Sequence, residues 1–220
     1  MSSLAAVFAA LALIQSAPMT QAGREIAAEE AERLAECREL TQSDPERAYE
    51  MGLAWLGKGN RPPARHCTAL ALIALEHYEE GAARLEELAN ASDAGTMETR
   101  ALYLAQAGNA WLAAGLPEAA VTTLENANRI NPGDAGLIMD LASAHLARGD
   151  WRQASRLLGE ALETRPGDPE ALALRARALM EMGRLKAALA DVRAARLSAP
   201  EDIDLLVLRG EIREAERLSR

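Results

Sequence analysis

Apolar and small residues in the carboxy-terminal half of the chain fall into columns 34 residues apart. Leu124, Leu158 and Val192 form one column, Ala120, Ala154 and Ala188 a second, and Ala127, Ala161 and Ala195 a third. Leu104, Ile138, Leu172 and Leu206 align in the same way, as do the small residues Gly108, Ala142, Ala176 and Gly210. Helix breakers stand between them in columns of their own: Gly115, Gly149 and Gly183, then Pro132, Pro166 and Pro200. With glycine and proline at about 7% and about 5% of average usage, two further matches in both breaker columns have a probability on the order of 10⁻⁵. The pattern encodes a repeated unit of two helices and two turns.

Each column has a physical reason. Small residues at 108, 142, 176 and 210 and at 120, 154 and 188 mark where two antiparallel helices cross closely. The glycines end the first helix of each unit, where a left-handed residue satisfies the last carbonyls, and the prolines stop the second. Asp134 and Asp168 are placed to cap the helix that follows, Pro117 and Pro169 suit a first helical position, and Asp150 with Gln153 reads as a further cap. Residues 97–219 are thus predicted to form seven helices, turning near Gly115, Pro132, Gly149, Pro166, Gly183 and Pro200.

Upstream the phase weakens. Leu70, Ala74 and Gly81 continue the first-helix columns over about 64–92, while Glu86 interrupts the second-helix column. Ala48, Met51, Ala54 and Trp55 lie at helical spacing after an Asp-Pro start, and an acidic helix over about 24–42 is expected to pair with them. The stretch "NASDAGT" at 90–96 reads as a flexible joint between a divergent amino-terminal lobe, 23–92, and the regular repeats of 93–220.

Composition narrows the class. Apolar residues make up 49% of the chain and aromatics only 3%, which favours an all-helical fold rich in Ala and Leu. A net charge of −9 argues against wrapping a phosphate backbone, so nucleic acid is not an expected partner. Leu4 to Ile14 is an uncharged apolar run, about half of the ~20 residues needed to span a bilayer. It reads as the core of a signal peptide over 1–22, with Thr20 and Ala22 as the small residues before a cut ahead of Gly23 and Ala17 offering an earlier site, and hence as export to the periplasm. The alternative is an uncleaved first helix on a cytoplasmic protein. Cys37 and Cys67 are the only cysteines; in an exported chain they are expected to form a disulfide, in a cytoplasmic one two buried thiols.

Candidate chemistry is sparse. The chain has no phosphate-binding Gly-rich loop ending in Lys-Ser/Thr, no GxSxG, no HExxH and no dinucleotide fingerprint. His66, His77 and His145 fall on separate units, and His66 with Cys37 and Cys67 offers three candidate metal ligands without a fourth. No catalytic residue, metal or cofactor is expected.

The 34-residue unit, with its order of small residue, breaking Gly, Ala, large apolar residue, Ala and Pro, resembles the tetratricopeptide repeat family. The resemblance covers residues 101–200. It implies a right-handed superhelical solenoid with units at 101–134, 135–168 and 169–202, closed by a capping helix at 203–219 whose outer surface Glu211, Arg213, Glu214, Glu216 and Arg217 keep polar. The aromatic usual in the first helix is replaced by His145 and Leu179. Such solenoids hold a protein or peptide segment on a concave surface made by their first helices, here expected to be lined by Leu102, Ala105, Asn109, Met139, Ser143, Leu146, Ala173, Arg177 and Met180. Arg177 is the expected anchor for a partner's carboxylate, or else is neutralised by Glu170 or Glu181. Family members that clamp chaperone tails carry Lys and Asn at places where this chain has Asp140 and Glu170, which disfavours that ligand. The resemblance extends to short envelope adaptors of Gram-negative bacteria.

Overall fold

The computed structural model describes residues 20–219 and contains eleven helices among them. They are α1 (Gln21–Ser43), α2 (Pro45–Leu56), α3 (Pro62–Ala74), α4 (Tyr78–Asn90), α5 (Met97–Ala113), α6 (Pro117–Ile130), α7 (Ala135–Arg148), α8 (Trp151–Thr164), α9 (Pro169–Glu181), α10 (Leu185–Ser198) and α11 (Ile203–Leu218). Each helix packs on the next, and α5, α7, α9 and α11 also touch one another in succession, whereas the even helices make no substantial contact among themselves. The result is a solenoid with the odd helices inside and the even helices outside.

The boundaries follow from the breakers. Gly115, Gly149 and Gly183 adopt φ of 73°, 86° and 69°, a left-handed conformation that lets the chain turn back after α5, α7 and α9. Amides of Gly136 and Leu137 donate to Asp134 Oδ1 at 2.8 and 3.2 Å, and those of Glu170 and Ala171 donate to Asp168 Oδ1 at 3.0 Å. Asp202 repeats the cap at α11. Asp150 departs from expectation. It occupies the cap position of α8 without accepting an amide there, because its carboxylate is drawn to Arg148 Nε at 2.6 Å and to His145 Nδ1 at 3.3 Å.

The columns become the core. Ala120, Ala154, Ala188, Leu124, Leu158, Val192, Ala127, Ala161 and Ala195 are all fully buried between paired helices. Gly108 has no room for a side chain, since a Cβ there would stand 2.4 Å from Leu124 Cγ.

The segment at 90–96 is fastened rather than loose. Ala94 is buried in a cluster that runs from α3 through α7, Arg65 reaches both carboxylate oxygens of Asp93 at 2.5 and 2.6 Å, and Arg100 donates to the carbonyls of Ala89 and Ala91 at 2.7 Å. Glu86, the residue that interrupts its column, accepts from Trp111 Nε1 of α5 at 3.0 Å and from the Thr123 hydroxyl of α6. The divergent lobe is thereby joined to the regular repeats by polar contacts as well as apolar ones.

In the amino-terminal lobe the sulfurs of Cys37 on α1 and Cys67 on α3 lie 2.06 Å apart, both buried beside Trp55 and Ala64. The expected capping helix is present as α11, anchored by Leu205, Leu208 and Ile212. Its outer face is less polar than expected. Glu211, Arg213, Glu214 and Arg217 are exposed and Glu216 partly so, but Ile203, Leu206 and Val207 are exposed with them. No described helix is long and apolar enough to cross a membrane, and the apolar run at 4–14 lies outside the described residues.

Candidate functional site

The inner surface is made by α5, α7 and α9, and the residues expected to line it divide into three groups. Leu102, Asn109 and Arg177 are exposed, while Ser143, Leu146, Ala173 and Met180 are half-buried and present part of their surface. Ala105 and Met139 are corrections: both are buried, Ala105 in the cluster of α3 to α7 and Met139 in that of α6 to α9, so they support the surface from beneath. The helical spacing that aligns them with Ser143 and Arg177 places them just past the edge of the exposed stripe.

Polar groups on this surface are unequal. Asn109 of α5 faces the half-buried carboxylate of Asp140 on α7. Burial holds the Asp140 carboxyl above its ordinary range; the Asn109 amide opposes this, and the charges of Glu170 and Asp134 add to it. Ser143 donates its hydroxyl back to the Met139 carbonyl at 3.0 Å, leaving the oxygen free to accept. Arg175 is taken up by Asp191 of α10, with Nε and an NH2 nitrogen each 2.8 Å from a carboxylate oxygen. Arg177 forms no ion pair among the described residues, with Glu170, Glu181 or any other carboxylate. Among the described residues the surface therefore combines the available Arg177 guanidinium, the half-buried Asp140 carboxylate and patches of Leu and Met.

Asp140 as a groove element carried a signal in the sequence, its position one residue after Met139 on the same helix, but its approach to Asn109 joins residues on separate helices and shows only in the fold. The histidines fall outside the site. His66 stacks edge-on against Tyr103 with centroids 4.8 Å apart and meets Gln106 Oε1 at 2.6 Å. Among the described residues no group of three or more His, Cys, Asp or Glu is placed to hold a metal ion.

A tetratricopeptide repeat family model matches residues 112–177 and again 146–212. Over residues 112–212 the chain is built of tetratricopeptide repeats. Its fold is shared by solved structures at low identity. A thermophilic tetratricopeptide repeat protein of Thermus thermophilus, TTC0263, superposes with a TM-score of 0.61 at 23% identity, covering 83% of this chain and 98% of that one. YrrB, a tetratricopeptide repeat protein with an unusual peptide-binding site, gives 0.64 at 16% identity over 84% and 97%. The second tetratricopeptide repeat domain of human RPAP3, solved with an HSP70 peptide, gives 0.51 at 20% identity over 53% and 98%. No curated protein matches the sequence. The matched residues run from the end of α5 into α11.

Proposed function

We propose that this protein is a non-enzymatic scaffold that holds a segment of a partner protein along the inner surface of α5, α7 and α9. The observation that carries the reading is Arg177, an exposed guanidinium with no ion-pair partner among the described residues, sharing the inner surface with the half-exposed side chains of Ala173 and Met180 on α9 and Ser143 and Leu146 on α7. Such a group forks two hydrogen bonds to a carboxylate or to peptide carbonyls, and Met and Leu beside it supply adaptable apolar contact. Peptide binding by structures of the same fold, as in the RPAP3 domain, is consistent with this use of the surface.

The setting we propose is the Gram-negative envelope, with the protein exported by cleavage of residues 1–22 and acting in assembly of an envelope complex. Two buried sulfurs at bonding distance fit an oxidising compartment. Mass spectrometry of the mature protein checks the export step: a start near Gly23 supports it, and an intact amino terminus returns the protein to the cytoplasmic reading. Thiol counting on unreduced protein is independent of that test, and two free thiols would count against both the bridge and export.

Crosslinking in cells, followed by identification of captured proteins, supplies the partner. Arg177→Ala is then expected to weaken capture by about 1 to 3 kcal/mol, the range for losing a charged hydrogen bond, with little change in melting temperature. Full capture by Arg177→Ala, together with loss on changing the outer faces of α6, α8 or α10, would move the binding surface to the convex side.

A further inference from the structure

In every regular unit a second helix covers the first, and the third unit shows the chemistry of the cover. Arg175 of α9 grips Asp191 of α10 through two 2.8 Å contacts, while Val192 beside it is fully buried with Ala188 and Ala195 against α9 and its neighbours. The α11 helix repeats the register of α9, so that Leu206 follows Leu172, Arg209 follows Arg175 and Gly210 follows Ala176. No described helix covers α11 as α10 covers α9. Leu172 is 5% exposed and Leu206 is 44%, with Val207 at 52% beside it. A Cβ at Gly210 would meet nothing within 4 Å, where one at Gly108 would strike Leu124. Arg209 has no ion pair among the described residues, and the charge of Arg213 first, then burial, then the charges of Arg196 and Arg193 on α10 hold its guanidinium below its ordinary value.

We propose that this face of α11 binds in trans an amphipathic helix of a partner protein that repeats the α10 pattern, an Asp or Glu followed directly by an aliphatic residue, with Ala one turn to either side. The carboxylate takes Arg209 as Asp191 takes Arg175, and the aliphatic side chain enters the space left open at Gly210. Charge selects this occupant. Four arginines gather at one end of a chain whose net charge is −9, and they call for an acidic face. Residues 1–19 contain no Asp or Glu and cannot provide one.

The probe is a helix-stapled, fluorescently labelled peptide of residues 184–199 titrated into the full 220-residue chain and read by anisotropy. Saturable binding is expected, weakened about tenfold or more by Asp191→Lys in the peptide or by Arg209→Glu in the protein, the effect of breaking one charged pair. Combining the two changed partners is expected to restore binding, Gly210→Leu to block it with helical content unchanged, and Arg177→Ala to leave it intact. Loss of peptide binding on Arg177→Ala would instead place the peptide in the inner groove. Failure to bind, or equal binding by the charge-reversed peptide, would overturn the proposal. Concentration-dependent dimerisation in sedimentation that Arg209→Glu abolishes would overturn it too, by assigning the face to a second copy.

Discussion

Gly108 and Gly210 occupy one column of the repeat and meet opposite surroundings. A Cβ at 108 would press on Leu124 at 2.4, 2.8 and 2.9 Å, and Leu124 is fully buried with no direction in which to give way. Gly108→Ala is therefore expected to lower stability by about 1 to 3 kcal/mol through overpacking. At 210 a Cβ would meet nothing within 4 Å among the described residues, so Gly210→Ala adds helix propensity alone and is expected to raise stability by up to about 1 kcal/mol. Urea unfolding of the two variants checks both signs; the same sign for both would mean that the column does not mark helix crossings. The column itself was legible in the sequence because packing repeats with the unit. That Gly210 lacks a covering helix was not, since the residue is the same at both positions and only its surroundings differ.

Element boundaries were legible for a related reason: Pro, Gly and Asp act on their own backbone and reveal turns and caps wherever they stand. The exceptions are contacts between residues distant in sequence. Asp150 fails as a cap because His145 and Arg148 compete for it, and the segment at 90–96 is held by Arg65 and Asp93, 28 residues apart. Glu86 is the clearest case. It breaks the apolar column of α4, yet its carboxylate links α4 to α5 and α6 by accepting from Trp111 and Thr123, 25 and 37 residues away. Replacing it with Ala leaves the indole N–H and the hydroxyl of a buried Thr without this acceptor, at an expected cost of about 1 to 3 kcal/mol, and Glu86→Gln should recover part of it. Hydrogen exchange gives the second readout: the loss should appear in α4 to α6 together. Stabilisation of the chain by Glu86→Ala, the residue its column favours, would show that the link contributes nothing. The inner surface was legible only as a stripe, because helical spacing fixes which residues share a side but not how deep Ala105 and Met139 sit.

At the scale of the whole molecule, each unit touches little beyond its neighbours, so a disturbance at one end is felt there first. His66 is such a point, joining three odd helices: it belongs to α3, Tyr103 and Gln106 face it from α5, and the charge of Arg38 reaches it from α1. Burial lowers its pKa from 6.5 to about 4; the Gln106 hydrogen bond opposes the shift and Arg38 adds to it. The folded chain thus keeps this imidazole neutral while the unfolded chain protonates it near 6.5. Between those values only the unfolded state takes up the proton, so the stability tied to His66 is complete above pH 6.5 and is lost as pH falls towards 4. The loss is on the order of 3 kcal/mol by pH 4, from about 1.4 kcal/mol per pKa unit. His66→Gln cannot take up that proton, so its denaturation midpoint should fall less than that of the parent between pH 7 and pH 4.5. Carboxylates elsewhere titrate in both proteins and cancel in the difference. Hydrogen exchange at pH 4.5 should show amides of α1 to α5 opening before those of α7 to α11. Parallel pH profiles for the two proteins would place the acid sensitivity elsewhere in the solenoid.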